Sequence, residues 1–534
     1  MPDPDGAARD DEPLGSTPAE IPVTFELQSA IAAAARESEQ PLLDAGRGQP
    51  NWLATVPRAG HFRLGAFAVE EAVAASSSLL WGQSPPQDGI AERLAAALAG
   101  DSSMGAQFLS LAVAYGIDEL GFEPDPWVHE LTKAVLGAGY PSPTRMLTHL
   151  ERVVERYITT VTDSPPAAAG RIHVFGTEGG AAAMAYVFRT LQENHIVAPG
   201  DKLAITTPIF TPYLQIPVLE DFGFEVAELR SAHNAPYRFG DEFLEQLLDP
   251  AIKVFFLVNP GNPDSRAIRP EKLVELRDLV LEKRPDLVIV ADTVYATFVD
   301  GFRSTFAELP RNVILLHSFS KNFGATGSRL GFIALSADNV LDELLAAQGP
   351  EMQRIQSERY RSITSDVSQL PFISRLVADS REVALHNIAG LATPDQVQMG
   401  FFALAYLLPD GKPYVEGTRS ELGRRLDALL GPLGIRSPGG QDSMYYALID
   451  LLQVATVRHG GEFAMWLTTD VRPEEVPLRL ARERGVVVLP GQIFDSESWD
   501  VRVSLASLTA DELGIVGEAI VSVLDELAAE RAAS

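Results

Sequence analysis

The sequence contains no cysteine, so it has no disulfide framework, which fits a reducing cytoplasm. It also has no run of about eighteen apolar residues, the length that a membrane-spanning helix needs. Basic residues are few, since 43 Lys and Arg stand against 72 Asp and Glu, for a formal net charge of -29. Proteins that bind nucleic acid normally carry a basic surface. We therefore predict a cytoplasmic protein without a nucleic-acid or membrane partner, in which local arginines must meet any anionic substrate.

A chain of 534 residues with 46% hydrophobic content can bury more than one core. Its first residues are acidic and rich in Pro and Gly, without the apolar stretch of a secretory signal, and predict a disordered tail. The residues that follow show helical periodicity, which Gly and Pro residues then interrupt. A further helical segment without catalytic motifs comes next. We predict the tail at 1–21, an N-terminal arm at 22–59, an inserted helical segment at 60–139, a large domain at 140–390 and a small C-terminal domain at 391–534.

Apolar strands alternate with helical patterns from Arg171 onward, beginning with RIHVFG and EGGAAAMAYVFRTL and continuing to NVILLHS. Such alternation predicts an α/β fold with a mainly parallel sheet covered by helices on both faces. The strand ends carry GTEGG, NPGNP, ADTVY and SFSK in turn. Because ligands bind at the carboxyl ends of such strands, we expect these motifs to meet in one crevice.

Lys321 follows an apolar strand in VILLHSFSKNFGATGSRLGFIAL, with Ser318, Ser320 and Arg329 close in the sequence. A lysine amine becomes a good nucleophile when desolvation or a nearby cation lowers its pKa. Serine hydroxyls and a guanidinium fork are suitable phosphate ligands. The pattern indicates a covalently held aldehyde cofactor with a phosphate group, and a surface lysine after a core strand is the alternative.

Three further residue patterns each allow a functional and a structural interpretation. Gly179 and Gly180 open a helix after a strand, which suits a phosphate but is also a common tight turn. Asp292 ends an apolar strand, where it needs a positive partner or acts as a helix N-cap. Arg502 lies in a C-terminal strand and needs an anion there, either a substrate or a structural salt bridge.

Five motifs occur in the order found in the class I and II aminotransferases: FGTEGGAAAM, NPGNPDS, ADTVYATF, SFSK and the strand of Arg502. From about Leu42 to Ala506 the chain resembles this family of pyridoxal-phosphate enzymes. The resemblance implies the type I fold of such transferases, with a seven-stranded, mainly parallel sheet in a large domain and a smaller α/β domain. It also implies that pyridoxal 5'-phosphate is the cofactor and Lys321 its covalent anchor, and we predict no metal ligands.

The resemblance assigns further roles to residues that match the family motifs. Asp292 is expected to keep the ring nitrogen protonated, Asn262 and Tyr295 to bind the phenolic oxygen, and Phe210 to stack on the ring, although it also reads as a core phenylalanine. Tyr140 would reach the phosphate from a partner subunit, or is an ordinary interface aromatic. The full predicted cofactor set is Tyr140, Gly179, Gly180, Ala181, Phe210, Asn262, Asp292, Tyr295, Ser318, Ser320 and Arg329.

Within the family, the chain resembles the aspartate 4-decarboxylase branch. This resemblance rests on the string LLDAGRGQPNW, the helical insertion, the glycine turn and the length of the chain. This implies β-decarboxylation of L-aspartate to L-alanine and carbon dioxide, with side transamination that involves a 2-oxo acid, in a homodimer that assembles further. We expect Arg47, Gly48 and Arg502 to bind the substrate. Arg502 would hold the α-carboxylate and Arg47 the β-carboxylate, unless Arg47 is only a solvated loop residue.

The role of one loop and the exact activity are left open by the sequence. Asp264 and Ser265 follow Asn262-Pro263 where many relatives have Thr-Gly or Ser-Gly, which puts the role of that loop in doubt. The other candidate activity is plain transamination of a dicarboxylic or aromatic amino acid. A transcription regulator with an aminotransferase-like domain is disfavoured, because the N-terminus is acidic and lacks a basic helix-turn-helix.

Overall fold

A computed structural model of the chain describes residues 24–78, 80–164, 171–218, 222–230, 240–385, 390–409, 411–436 and 442–533. The predicted tail at 1–21 lies outside the described residues. The strands are β1 (Leu43–Asp44), β2 (Ile172–Thr177), β3 (Lys202–Thr207), β4 (Glu225–Arg230), β5 (Ile252–Val258), β6 (Val288–Asp292), β7 (Val313–Ser318), β8 (Gly331–Ser336), β9 (Tyr446–Asp450), β10 (Val486–Val487), β11 (Leu489–Pro490) and β12 (Asp500–Ser504).

The α-helices of the first half are α1 (Thr24–Glu37), α2 (Thr55–Ala74), α3 (Ile90–Leu98), α4 (Met104–Asp118), α5 (Pro124–Val135), α6 (Thr148–Val161), α7 (Gly180–Glu193), α8 (Pro212–Val218), α9 (Asp241–Gln246) and α10 (Pro270–Lys283). Those of the second half are α11 (Thr305–Glu308), α12 (Val340–Ala346), α13 (Pro350–Arg359), α14 (Phe372–Asp379), α15 (Thr393–Leu407), α16 (Gly411–Leu433), α17 (Leu451–His459), α18 (Gly461–Asp470), α19 (Glu475–Arg484) and α20 (Ala510–Ala533).

The main sheet has seven strands in the order β2-β8-β7-β6-β5-β3-β4. Only β8 runs antiparallel to its neighbours β2 and β7, so the predicted mainly parallel seven-stranded sheet is confirmed. Successive residues of a central strand enter different cores. Phe255 and Leu257 of β5 belong to one hydrophobic cluster, whereas Phe256 and Val258 belong to the other. Burial on both faces explains why these strands read as continuous apolar runs.

The helices α2 to α5 form the helical layer expected in the first part of the chain. Helices α2, α4 and α5 contact one another and α15, whereas α3 packs on α4 and α5. The apolar residues of this layer join the same core as one face of the main sheet. The predicted helix in GIAERLAAALAG is α3, whose Ile90, Leu94 and Leu98 are buried at helical spacing. The layer begins at Thr55 in α2, slightly before the predicted insertion at 60. The predicted domain boundaries themselves stay predictions.

The C-terminal part builds a second, antiparallel sheet in the order β11-β12-β9. The N-terminal arm lies against this part of the chain, because α1 contacts α19 and β1 pairs with β10 in parallel. Beyond β1, the Ala45 carbonyl accepts a hydrogen bond from the Ser504 N–H at 2.7 Å. This anchoring fixes the loop 45–48 beside β12. Among the described residues, no helix is both long and apolar enough to cross a membrane.

Candidate active site

Lys321 projects from the turn that follows β7, beside the loop contributed by the N-terminal arm. Its Nζ donates a hydrogen bond to the Gly48 carbonyl at 2.9 Å. A Cβ atom at Gly48 would lie 3.1 Å from Nζ and only 2.3 Å from the hydroxyl oxygen of Tyr446. Position 48 therefore has no room for a side chain, and its glycine lets the backbone approach the amine.

A cradle for an anion lies between the start of α7 and the turn after β7. Gly179 has φ +92°, and a Cβ atom there would lie 2.7 Å from Nη2 of Arg329. The Ser318 hydroxyl donates to Ser320 Oγ at 2.9 Å, and both serines are buried. Because the N-terminus of α7 at Gly180 adds its free N–H groups and positive dipole end, the arrangement suits a phosphate.

Asp292, the last residue of β6, is buried and faces the same crevice. Its Oδ2 accepts a hydrogen bond from the Tyr213 hydroxyl at 2.7 Å, and its Oδ1 accepts one from the Val294 N–H at 3.0 Å. Burial raises the pKa of this carboxyl, while the two hydrogen bonds and the charge of Lys321 oppose the rise. A cationic group bound in the crevice would favour the ionised carboxylate further.

The neutral side chain of His317, in β7, contacts the residue that follows Asp292. Burial lowers the pKa of His317 to about 3, so its ring is uncharged near neutral pH. The ring lies 3.1 Å from the Tyr157 hydroxyl on one side and 3.1 Å from the Thr293 hydroxyl on the other. Since Thr293 directly follows Asp292, these contacts help fix the carboxylate in place.

Arg502 enters the crevice from β12 and is buried. Its Nη1 donates to Asn262 Oδ1 at 3.1 Å, and its Nη2 donates to the Gly46 carbonyl. The guanidinium carbon lies 4.2 Å from the ring centroid of Tyr446 and 4.6 Å from that of Phe494. Its buried Nε has no hydrogen-bond partner within the described part of the chain. An anion is the group that would satisfy this donor and the buried charge.

Tyrosines line the wall between Lys321 and Arg502. The hydroxyls of Tyr295 and Tyr446 lie 3.0 Å apart, and the Tyr445 hydroxyl donates to the Gly48 carbonyl at 2.9 Å. The sequence interpretation included Tyr295 but missed Tyr445, Tyr446 and the Asp292 partner Tyr213. The pair in MYYALID could have been noticed, because two adjacent hydroxyls in an apolar strand need partners.

Ser265, in the loop that differs from the family pattern, holds the backbone of this tyrosine wall. Ser265 Oγ accepts a hydrogen bond from the Tyr446 N–H at 2.8 Å, and its carbonyl accepts one from the Ser443 N–H at 2.9 Å. Burial and the charge of Asp264 raise the pKa of Asp442 to about 6. The unusual loop therefore fixes the segment that leads into β9.

Three predicted residues lie at or beyond the edge of this crevice in the single chain. Phe210 is 40% exposed, with its ring centroid 6.2 Å from that of Tyr213. Tyr140 is 72% exposed, as a residue that completes a neighbouring subunit would be. The Arg47 side chain is 77% exposed, and its Nε lies 3.0 Å from Asp44 Oδ2. The structure thus brings the backbone on either side of Arg47, rather than its guanidinium, against Arg502 and Lys321.

The residues present fit pyridoxal 5'-phosphate. The cradle at Gly179, Ser318 and Arg329 matches its phosphate, and Asp292 matches its protonated ring nitrogen. Lys321 supplies the amine that joins the aldehyde.

Comparison with known proteins agrees with this arrangement. Residues 138–397 match the family model described as aminotransferase class I and II. A Pseudomonas protein named bifunctional aspartate aminotransferase and L-aspartate beta-decarboxylase is 40% identical over 508 residues, which cover 94% of this chain and 96% of that protein. The family resemblance seen in the motifs is confirmed.

Solved structures show the same fold. A mutant aspartate aminotransferase from Thermus thermophilus aligns with a TM-score of 0.59 at 16% identity, over 96% of this chain and 99% of that chain. An aromatic aminotransferase from Pyrococcus horikoshii OT3 aligns with a TM-score of 0.56 at 18% identity, over 91% and 96%. The predicted type I transferase fold is confirmed.

Proposed function

Because the chain belongs to the class I and II aminotransferase family, whose cofactor is pyridoxal 5'-phosphate, we propose that it converts L-aspartate to L-alanine and carbon dioxide, with side transamination to oxaloacetate. The observation that carries this proposal is the 40% identity to the Pseudomonas protein, which spans 94% of this chain. Similarity of that extent includes far more than the cofactor-binding strands. It therefore favours a shared reaction over a shared fold alone.

Each part of the crevice has a role in holding the cofactor. When bound, the cofactor supplies an electrophilic ring system that accepts electrons released from the substrate carbon atoms. Lys321 forms the covalent link, and the cradle at Gly179, Ser318 and Arg329 binds the phosphate. Asp292 keeps the ring nitrogen protonated, since a buried carboxylate stabilises the adjacent positive charge.

Arg502 positions the substrate, and Lys321 transfers its proton. The free Nε and buried charge of Arg502 bind the α-carboxylate, because a guanidinium fork matches a carboxylate in geometry and charge. With the cofactor in place, the amine of Lys321 would move the α-proton of the substrate. Tyr295 and Asn262 orient the phenolic side of the cofactor.

We assign the β-carboxylate to Arg47. Its ion pair with Asp44 is exposed on the arginine side, and such surface pairs contribute only about 0 to 1 kcal/mol. A substrate carboxylate can therefore draw the guanidinium away from Asp44. The carbonyl groups of Gly46 and Gly48, on either side of Arg47, already contact Arg502 and Lys321. A rotation of the Arg47 side chain would therefore bring its guanidinium toward the substrate.

The exposure of Arg47 also favours a second candidate, transamination of a dicarboxylic or aromatic amino acid, because only Arg502 of the two arginines is buried in the crevice. The discriminating experiment incubates the holoenzyme with aspartate and a 2-oxo acid other than pyruvate, which accepts the amino group, and measures alanine and oxaloacetate together. Alanine as the main product supports decarboxylation. Oxaloacetate without alanine would establish the plain aminotransferase.

Replacing Asp292 by Ala should leave cofactor binding detectable but lower turnover about 100-fold, a typical loss for one preorganised electrostatic group. Tyr213→Phe should lower it roughly tenfold, since a hydrogen bond to a charged group contributes about 1.5 kcal/mol. Steady-state kinetics on cofactor-saturated enzyme measure both effects, with Tyr406→Phe as a control for hydroxyl loss outside the crevice. Full activity in Asp292→Ala would remove this carboxylate from the mechanism.

We further propose a homodimer that assembles into a larger homo-oligomer. The exposed Tyr140 would complete the neighbouring site, and α2 presents a stripe of exposed apolar residues: Phe62, Val69 and Val73. Light scattering at the assay concentration should therefore find no monomer, and Phe62→Glu should favour smaller species. A fully active monomer would contradict the shared site.

Finally, we expect the enzyme to work in the cytoplasm on the amino acid and 2-oxo acid pool. The cysteine-free composition fits a reducing compartment. Cell fractionation with detection of the native protein tests this location.

A further inference from the structure

Tyr446, the first residue of β9, is buried at the centre of the crevice, in a position that the roles above do not use. Its hydroxyl lies 3.0 Å from that of Tyr295. Its ring lies under the guanidinium of Arg502, at 4.2 Å from the ring centroid to the guanidinium carbon. The hydroxyl is therefore aimed between the groups assigned to cofactor and substrate.

The same hydroxyl converges with the amine of Lys321. The Tyr446 oxygen and the Lys321 Nζ would lie 2.3 Å and 3.1 Å from a Cβ atom at Gly48. Both tips thus point into one small volume beside the loop that carries Arg47. A substrate whose α-carbon is within reach of Lys321 has its β-carbon close to this hydroxyl.

The surroundings of Tyr446 also favour release of its proton. Burial opposes ionisation, but the charges of Lys321 and Arg502 and the hydrogen bond with Tyr295 outweigh it, so the pKa of Tyr446 is lowered. The pKa values of Tyr295, Tyr445 and Tyr213 are instead raised, chiefly by burial. Tyr446 is therefore the strongest acid among these four hydroxyls.

Decarboxylation needs an acid at the β-carbon that transamination does not need. Loss of carbon dioxide breaks the bond between the β-carbon and its carboxylate, and the electron pair must end in a new C–H bond. In transamination this carboxylate is retained, and proton movement at the α-carbon by Lys321 suffices. A separate acid beside Lys321 would serve only the decarboxylation.

We propose that the Tyr446 hydroxyl is the catalytic acid that protonates the β-carbon after carbon dioxide leaves, an inference that rests on the proposed decarboxylase function. The O–H bond of Tyr446 breaks, its proton joins the β-carbon, and a phenolate remains. Arg502 stabilises that phenolate through the face of the ring. A proton from solvent restores the hydroxyl before the next turnover.

The decisive variant is Tyr446→Phe, which removes one oxygen and keeps the ring under Arg502. With cofactor loading checked by absorbance, alanine formation from aspartate should fall about 100-fold, the lower range for loss of a general acid. Oxaloacetate formation should stay within about threefold of wild type. Tyr406→Phe, which removes a hydroxyl outside the crevice, should leave the alanine to oxaloacetate ratio unchanged.

A titration of the cofactor-free protein gives an independent measurement. The difference in tyrosinate absorbance between wild type and Tyr446→Phe should show one tyrosine that ionises below the ordinary pKa of about 10. The groups that face this hydroxyl are Tyr213, Tyr295, Tyr445, Lys321 and Arg502. If Tyr446→Phe does not fold, Tyr446→Gln replaces it in both experiments, because an amide N–H is far too weak an acid to release its proton.

The outcomes separate this inference from the function on which it rests. A wild-type enzyme that forms no alanine overturns both. Wild-type alanine formation together with an unchanged ratio in Tyr446→Phe, or with equal losses of both products, overturns only the assignment of Tyr446. A tyrosine that ionises at or above the ordinary pKa also contradicts it.

Discussion

The Lys321→Ala protein is expected to lack the absorption band of the covalently held cofactor and to lose at least about 10⁴-fold in turnover of aspartate. The variant removes the anchor and the proton carrier together, and loss of proton transfer alone typically lowers rates by about 10² to 10⁴. Both decarboxylation and transamination should disappear, because each begins with this amine. Absorbance spectra and product assays measure the two effects.

Two controls make the Lys321 result specific. Lys321→Arg keeps a positive charge but cannot form the link, so it should resemble Lys321→Ala. Lys202→Ala removes a lysine at the amino end of β3, away from the crevice, where it pairs with Asp249 at 3.0 Å, and should keep the band and the activity. Borohydride reduction and peptide mapping that place the modified lysine elsewhere would refute the assignment.

Arg502→Ala is expected to weaken both reactions strongly, whereas Arg47→Ala should change the partition between them. Truncating one partner of a buried charge pair costs roughly 2 to 5 kcal/mol, or about 30- to 5,000-fold. Both reactions need the α-carboxylate anchored by Arg502. Only decarboxylation needs the β-carboxylate bond held in one orientation, so transamination should survive in Arg47→Ala.

The ratio of alanine to oxaloacetate formed from aspartate distinguishes the two arginines. Arg502→Lys keeps the charge and loses the fork, so it should recover part of both activities without a change in ratio. Asp44→Asn frees Arg47 from its ion pair and should not reduce decarboxylation. An Arg47→Ala enzyme with the wild-type ratio and rate would show that Arg47 is only a surface residue.

The sequence was sufficient to predict the parallel sheet and the residues at its strand ends. Strands buried on both faces are apolar throughout, and their carboxyl ends meet at one edge, so Gly179, Asp292 and Ser318 could be placed together. The reversed direction of β8 could not be read locally, because an apolar run has the same composition in either direction.

The residues missed by the sequence interpretation depend on contacts between distant segments. Tyr213 bonds to Asp292 across 79 residues, and Tyr446 reaches Tyr295 across 151. Either tyrosine could equally be a core residue when read from its own strand or helix. The outward direction of Arg47 was also beyond local sequence, since the loop's path depends on the pairing of β1 with β10.

The most direct test of the proposed function follows the β-carboxylate itself. The holoenzyme is incubated with a 2-oxo acid other than pyruvate, as amino acceptor, and with L-aspartate labelled with carbon-13 in that carboxylate, and the label is followed by NMR. We predict that the label leaves as carbon dioxide in an amount equal to the alanine formed, with a smaller part retained in oxaloacetate. Turnover of aspartate with all of the label retained in oxaloacetate would contradict the decarboxylase assignment.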